Sequence, residues 1–409
     1  MTQIKPFRAI RPTRDKAHLV ATLPYYDYKK HVLQAKMEHN PFSFLHVINP
    51  EFHDNEKSIP NSDERFLKTK NKFKEFIDEG IFIQDKTECL YLYRQTKDGH
   101  EYLGLIGGAS VDQYNSGHIK KHEETITERE EIFTRYLKIT EFNAEPILLF
   151  HESNKNLNAL LAEITTERPE YEYSSTEYIK HEIWVIRNVF EIEKIQECYK
   201  EISDVYIADG HHRCASSARL SNSLGNDKTE TQNYFLAYFI SDNGLRILNY
   251  NRVVKDLNGL TEKEFLAKIE VQFLISELGN SDKQPQKLHD ISMYLNKSWY
   301  KLVPKPNSFD ANHPVNSLDT AILSDNLLTP ILNIVDLKTN KRIEFISGNK
   351  GIEAIQNSVD VDVLKVGFVL FPVSVKQLKK VADENLIMPP KSTWIEPKLR
   401  SGLTIYPLK

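Results

Sequence analysis

The chain has 409 residues, 40% of them hydrophobic and 27% charged, with a formal net charge of −4. That length exceeds one ordinary compact core and points to two lobes or one large elaborated domain. The near-balanced charge argues against a nucleic-acid partner, and no apolar run approaches the roughly 18 to 20 residues of a membrane span, which argues against a membrane one.

In chain order, the first 60 residues are rich in prolines and aromatics ("KPFRAIRPT", "LPYYDY", "NPFSFLHVINPE"), which predicts extended segments and turns with one helix over residues 28–38. "DERFLKTKNKFKEFIDEG" predicts a helix whose apolar face is Phe66, Phe73, Phe76 and Ile77, with Gly80 as its stop. "CLYLYRQT" and "EYLGLIGGASV" flank the turn "KDGH" and predict a hairpin. Residues 118–140 read as a charged helix, followed by buried strands at "AEPILLFHE" and "HEIWVIRN".

A helix ending at "ECYKEIS", a short strand "DVYIADG" and a helix "HHRCASSARLSNSLG" closed by Gly225 come next. Strands at "YFLAYFIS" and "LRILNYNRVV", a helix over 260–279, a strand "KSWYKLVP" and an apolar helix "LDTAILSDNLLTPIL" follow, with polar loops near 280–286 and 306–314. The chain closes on a strand, a helix, a proline-bracketed loop and a final strand. This order predicts an α/β or α+β fold, a mixed sheet with hairpins and surrounding helices. Residues 1–255 are expected to form the main lobe and 256–409 a second one, whose loop 388–402 returns to the active cleft.

The start, "MTQIKPFRAIRPTRDK", lacks the apolar block of a secretory signal, so a cytoplasmic location is expected. Cys89, Cys198 and Cys214 show no C-x-x-C spacing, which fits a reducing compartment and opposes a zinc knuckle.

The densest chemistry lies in "YIADGHHRCASSARL". A strand ends near Ala208, Asp209 and Gly210 turn the chain, and small residues open a helix whose unpaired N–H groups and partial positive charge suit a phosphate, especially beside Arg213. Asp209 can hold Mg²⁺ or act as a base, while His211 and His212 can bond phosphate oxygens or move a proton near neutral pH. The plain structural alternative makes Asp209 a helix cap and the histidines packing residues. Cys214 reads better as a small buried residue than as a nucleophile.

Two further groups stand out. In "GHIKKHEETITEREE", His118 and His122 are four apart and would share a helix face, with Glu123 or Glu124 adjoining, although a solvated charged face explains the same pattern. In "MPPKSTWIEPK", Lys391, Ser392, Thr393 and Lys398 supply cations and hydroxyls on a loop stiffened by prolines, which suits an anion. Arg11, Asp27, Lys121, Thr125 and Arg252 are secondary candidates.

The stretches "IKPFRAIRP", "LPYYDY", "NPFSFLHVINPE", "IKKHEETITERE", "YIADGHHRCASSA", "LNYNRVVKDL" and "MPPKSTWIEPKLRSGL" together resemble the bacterial and archaeal family named domain of unknown function 1015, over residues 4–403. The ADGHHR corner is also similar to the phosphate-binding motif of the ParB and sulfiredoxin superfamily, which includes free serine kinases using ATP or ADP. That likeness implies a ParB/sulfiredoxin-like core with large elaborations. Sulfiredoxins carry a cysteine where His211 stands, which opposes sulfinate reduction, and the basic DNA-binding segment of ParB proteins is absent. The family resemblance implies a step in serine metabolism. The sequence departs from the family in the extra tyrosine of "PYYDY" and in Asn251, where a histidine is frequent, though Arg252 remains.

These readings lead to a phosphoryl-transfer enzyme acting on serine or phosphoserine, a small substrate, with Mg²⁺ and ATP or ADP. Gly210, His212, Arg213, Lys391, Ser392, Thr393 and Lys398 would bind phosphate or nucleotide. Asp209 would be metal ligand or base, His211 the acid/base, and His122 with Glu123 a second catalytic pair. A nucleotide-independent phosphoserine phosphatase and a non-catalytic phosphate or nucleotide sensor are the alternatives.

Overall fold

A computed structural model describes residues 1–279, 281–361 and 363–409. Asn280, which opens one of the expected polar loops, lies outside the described residues. The chain divides into two compact units, Met1–Leu245 with Pro397–Lys409, and Arg246–Glu396. The sequence reading set the boundary after residue 255 and kept the whole carboxyl terminus in the second lobe; the structure instead returns the last thirteen residues to the first unit.

The first unit is built on an eight-stranded mixed sheet. Its strands are β1 (Leu90–Lys97), β2 (His100–Ser110), β3 (Ile119–Lys120), β4 (Ile147–His151), β5 (Tyr171–Ser174), β6 (Lys180–Ile186), β7 (Val205–Asp209) and β8 (Tyr234–Ser241). Their spatial order is β3-β7-β4-β8-β2-β1-β6-β5. β7 runs parallel to β3 and antiparallel to β4, while β8 runs parallel to β4 and antiparallel to β2. The expected hairpin is β1–β2, and its turn residues Asp98 and Gly99 both take positive φ (51° and 75°), the backbone that a two-residue hairpin requires.

Helices α1 (Asp63–Asp78), α2 (Thr127–Thr140), α3 (Lys155–Ile164), α4 (Val189–Lys200) and α5 (His211–Leu224) belong to this unit. Ser62 caps α1 by accepting from the Arg65 amide, and Phe66, Thr69, Phe73 and Phe76 form its buried face. Ile77, expected on that face, is 37% exposed, because it sits one residue past the Phe73 and Phe76 stripe. The main core joins Leu149 of β4, Ile207 of β7 and Phe235, Ala237 and Phe239 of β8 to Leu157 and Leu161 of α3, Ile192 and Ile195 of α4, and Cys214 and Ala218 of α5.

The carboxyl-terminal segment is threaded into this unit by backbone pairing. Ser401 pairs with Thr22, Ile405 with Ile10, and Tyr406 and Pro407 with Asn143 and Phe142. Side chains reinforce it: the Arg400 guanidinium donates to Glu177 at 2.9 Å, and Gln95 donates to the Lys398 carbonyl at 3.2 Å.

The second unit holds an antiparallel six-stranded sheet of β9 (Tyr250–Val254), β10 (Phe273–Glu277), β11 (Ile291–Leu295), β12 (Ser298–Pro304), β13 (Ile343–Ser347) and β14 (Val366–Val369), ordered β10-β12-β11-β14-β9-β13. The helix expected over 260–279 stops early. Only Glu262–Ile269 is helical, and Phe273–Glu277 becomes β10 because "FLIS" pairs with Ser276↔Lys301 and its neighbours on β12. Among the described residues no helix is long and apolar enough to cross a membrane.

Candidate functional site

The corner between β7 and α5 begins with a register shift between Ile207 and Asp209, an irregularity of the kind that re-aims a side chain at the end of a strand. Gly210 follows with φ 103°, and a Cβ there would lie 3.1 Å from the Arg213 guanidinium, which folds back over it. The positive φ calls for glycine, and the close guanidinium leaves little room for a side chain. The first intrahelical donor is the Cys214 amide, which reaches the Gly210 carbonyl at 3.0 Å, so the amides of His211, His212 and Arg213 precede the helical ladder.

The small residues after the corner let α5 lie flat on the core. Cys214, Ala215, Ser216, Ser217 and Ala218 are all buried. Ser216 and Ser217 satisfy their hydroxyls within the helix, donating to the His212 and Arg213 carbonyls at 2.7 and 2.9 Å. Burial raises the Cys214 thiol well above its ordinary pKa, as expected for a packing residue.

Lys398 comes back to this corner from the carboxyl-terminal segment, its Nζ 3.2 Å from Asp209 Oδ2. Burial pushes the Asp209 carboxyl up, but the Lys398 and Arg213 charges outweigh it and hold the pKa near about 2. Arg213 donates to the Pro146 carbonyl at 2.8 Å and lies 3.7 Å from Glu145. Burial raises the Glu145 carboxyl against the pull of Arg213, and the Asp27 and Asp209 charges raise it further. Asp27 is thus near enough for its charge to reach Glu145. Glu145 was missed in the sequence, where its only signal is a carboxylate placed just before a wholly buried strand.

His122 and His211 meet edge to face, ring centres 4.6 Å apart. His211 is 4% exposed; its Nδ1 lies 3.5 Å from Glu123 Oε2, and its Nε2 accepts from the His122 amide at 3.5 Å. His122 is 1% exposed, and among the described residues neither of its ring nitrogens has a hydrogen-bond partner. Burial drives both imidazoles down to about 3, with each other's or neighbouring positive charge adding to the effect on His122 from His211 and on His211 from His212 and Lys121. Burial thus favours the neutral form of both imidazoles.

Other expectations meet different surroundings. His118 and His122 do not share a helix face: Ile119 and Lys120 form β3 along β7, α2 starts only at Thr127, and His118 is 3.0 Å from Thr2 Oγ1. Edge pairing with a buried strand takes up the backbone that a helix would have used. Thr125 bonds Glu130 at the start of α2. Arg11 is committed to Asp85 at 2.8 and 2.9 Å and to Tyr171 at 2.7 Å, a buried structural cluster.

Lys391, Ser392 and Thr393 belong to the second unit and Lys398 to the first. Lys391 lies over the Tyr250 ring at 5.4 Å, and Ser392 donates to the Pro389 carbonyl at 2.6 Å. Arg252, also in the second unit, is fully buried beneath Phe345, and burial lowers its pKa to about 9.

The first unit thus has a mixed α/β fold in which Asp209, Arg213 and Lys398 meet where a strand runs into a helix N-terminus. The chain belongs to the family described as protein of unknown function, DUF1015, whose model matches residues 4–321. Solved structures similar to it include free serine kinase in complex with AMP, at 12% identity and a TM-score of 0.38, covering 74% of this chain and 91% of that one. SbnI with C-terminal truncation, from Staphylococcus aureus, is similar at 13% identity and a TM-score of 0.38, covering 73% of this chain and 85% of that one. No curated protein matches the sequence.

Proposed function

We propose that this chain is a phosphoryl-transfer enzyme of serine metabolism, acting on serine or phosphoserine with ATP or ADP. The observation that carries the reading is the convergence on one corner of the pre-ladder amides of α5, the Arg213 guanidinium and the Lys398 ammonium. Phosphoryl transfer needs positioning and charge neutralisation more than covalent machinery, and a helix N-terminus flanked by two cations supplies both. Gly210 lets the backbone approach the transferring group, and His212 stands on the same first turn.

Asp209, held ionised by its neighbours, is a hard oxygen donor of the kind Mg²⁺ takes, and equally a carboxylate able to accept the proton of a serine hydroxyl. Mg²⁺, when bound with the nucleotide, neutralises phosphate charge. Serine as the substrate is supported by the family resemblance of the sequence rather than by a contact.

The test is phosphorus NMR on the purified protein with Mg²⁺, offering phosphoserine alone, phosphoserine with ADP, and serine with ATP. Phosphoserine from ATP, or ATP from phosphoserine, is the expected result. Inorganic phosphate from phosphoserine alone would make the protein a phosphatase, and silence in all three arms from folded protein would make it a phosphate sensor; either outcome overturns the reading.

A further inference from the structure

We propose that His122, Glu123 and His211 form a binding site for one divalent transition-metal ion, of the class of Zn²⁺, Co²⁺, Mn²⁺ or Fe²⁺. One nitrogen of each imidazole and one Glu123 oxygen lie within 4.8 Å of one another. The site deepens the phosphoryl-transfer reading, since it adjoins the same corner, but it is defined by metal binding and is read without turnover.

Three observations carry it. His122 is 1% exposed with two ring nitrogens that have no partner among the described residues, an arrangement that natural cores avoid unless something else meets the polar atoms. The His211 ring is held only loosely, because its contacts to Glu123 and to the His122 amide are both 3.5 Å, the outer limit of a hydrogen bond. A ligand-to-ligand edge of about 3.4 Å is, however, what four bonds of 2.0–2.1 Å around a tetrahedral ion produce.

The donor chemistry then selects the ion. Neutral imidazole is a ligand for zinc, copper, iron and nickel, whereas Mg²⁺ prefers oxygen and keeps its waters. Negative charge on Glu123 and Asp209 acts on His122 and favours a cation there. The Glu123 side chain is 45% exposed, which provides an entry path from solvent. Three protein ligands leave a coordination position open, as in catalytic rather than structural sites, and at this corner a phosphoryl oxygen or a water is the chemical class that would fill it.

The experiment takes full-length protein dialysed against a chelator and titrates it separately with Zn²⁺, Co²⁺ and Mg²⁺ alone, following bound metal by equilibrium dialysis and Co²⁺ by its visible absorption. The expected result is one Zn²⁺ or Co²⁺ per chain, with no competition from equimolar Mg²⁺. His122→Ala and Glu123→Gln should each weaken Zn²⁺ binding by about 10-fold or more, and His118→Ala should leave it unchanged. Glu123→Gln keeps the test decisive if His122→Ala does not fold, because Glu123 lies at the edge of the cluster. Less than a tenth of an equivalent bound, or unchanged affinity in folded Glu123→Gln, overturns the site. No bound ion in the titrations together with turnover in the phosphorus NMR arms would remove the site and keep the phosphoryl-transfer reading; one bound ion without turnover would do the reverse.

Discussion

Lys398 and Asp209 stand 189 residues apart in the chain and 3.2 Å apart in the fold. The pair brings a cation and a carboxylate to the start of α5, where the amides of His211, His212 and Arg213 precede the helical ladder, and the proposed chemistry depends on all three. Lys398→Met and Arg213→Ala should each lower turnover on the order of 100- to 1,000-fold with the circular dichroism spectrum unchanged, the usual cost of losing one preorganised charge at a transferring group. Near-normal turnover in both variants would make the corner purely structural.

Gly210→Ala tests the backbone of the same corner. At φ 103° the alanine backbone is strained, and its methyl also lies 3.1 Å from the Arg213 guanidinium, which must shift by a few tenths of an ångström to make room. A loss of about 1–2 kcal/mol in urea unfolding is expected, together with a loss of turnover. An unchanged midpoint would mean that the corner relaxes without strain.

Cys214 should be dispensable for chemistry. It is fully buried and its thiol is held protonated by that burial, so it is not a nucleophile at neutral pH. Cys214→Ala is expected to keep turnover within about threefold and to cost about 1 kcal/mol through the small void it leaves. Full inactivation at an unchanged melting temperature would restore a thiol mechanism.

Acid should loosen the carboxyl-terminal segment. Burial opposes the Glu177 charge, but Arg400 overcomes it and holds the carboxyl at about 2. A carboxylate depressed in the folded state contributes stability that is fully present above its unfolded pKa of about 4.3 and is lost as pH falls toward about 2. Unfolding midpoints measured from pH 7 to pH 2 should therefore fall more steeply in the native protein than in Glu177→Gln. Parallel curves would show that the Arg400 contact contributes nothing to folding.

The parts of this fold that were legible in the sequence are those governed by local chemistry. The turn "KDG" forces a hairpin because Asp98 and Gly99 tolerate positive φ, and "ADGHHRCASSA" forces a strand-to-helix corner because glycine breaks the strand and small residues follow. Elements decided by distant partners were not legible. Ile119 and Lys120 leave the helical pattern because β7 offers them an edge, and Phe273–Glu277 leaves it because β12 does. Within the candidate site, Asp209 and Arg213 could be named from their neighbours in sequence. The assignment of Lys391 and Lys398 to different units, and the arrival of Glu145 beside Arg213, depend on long-range packing and left no local signature.

Because the second unit interrupts the first, translation order separates the halves of the ion pair. Asp209 leaves the ribosome 189 residues before Lys398, a delay of roughly 10 to 40 s at ordinary elongation rates. Throughout that interval the nascent first unit lacks Ile405 beside Ile10, Ser401 beside Thr22 and the cation at Asp209. A chain released early by a stop codon or clipped ahead of Pro397 would keep the β7–α5 corner yet lack its returning lysine. The proposed phosphate corner is on this account assembled only after Lys398 has been synthesised.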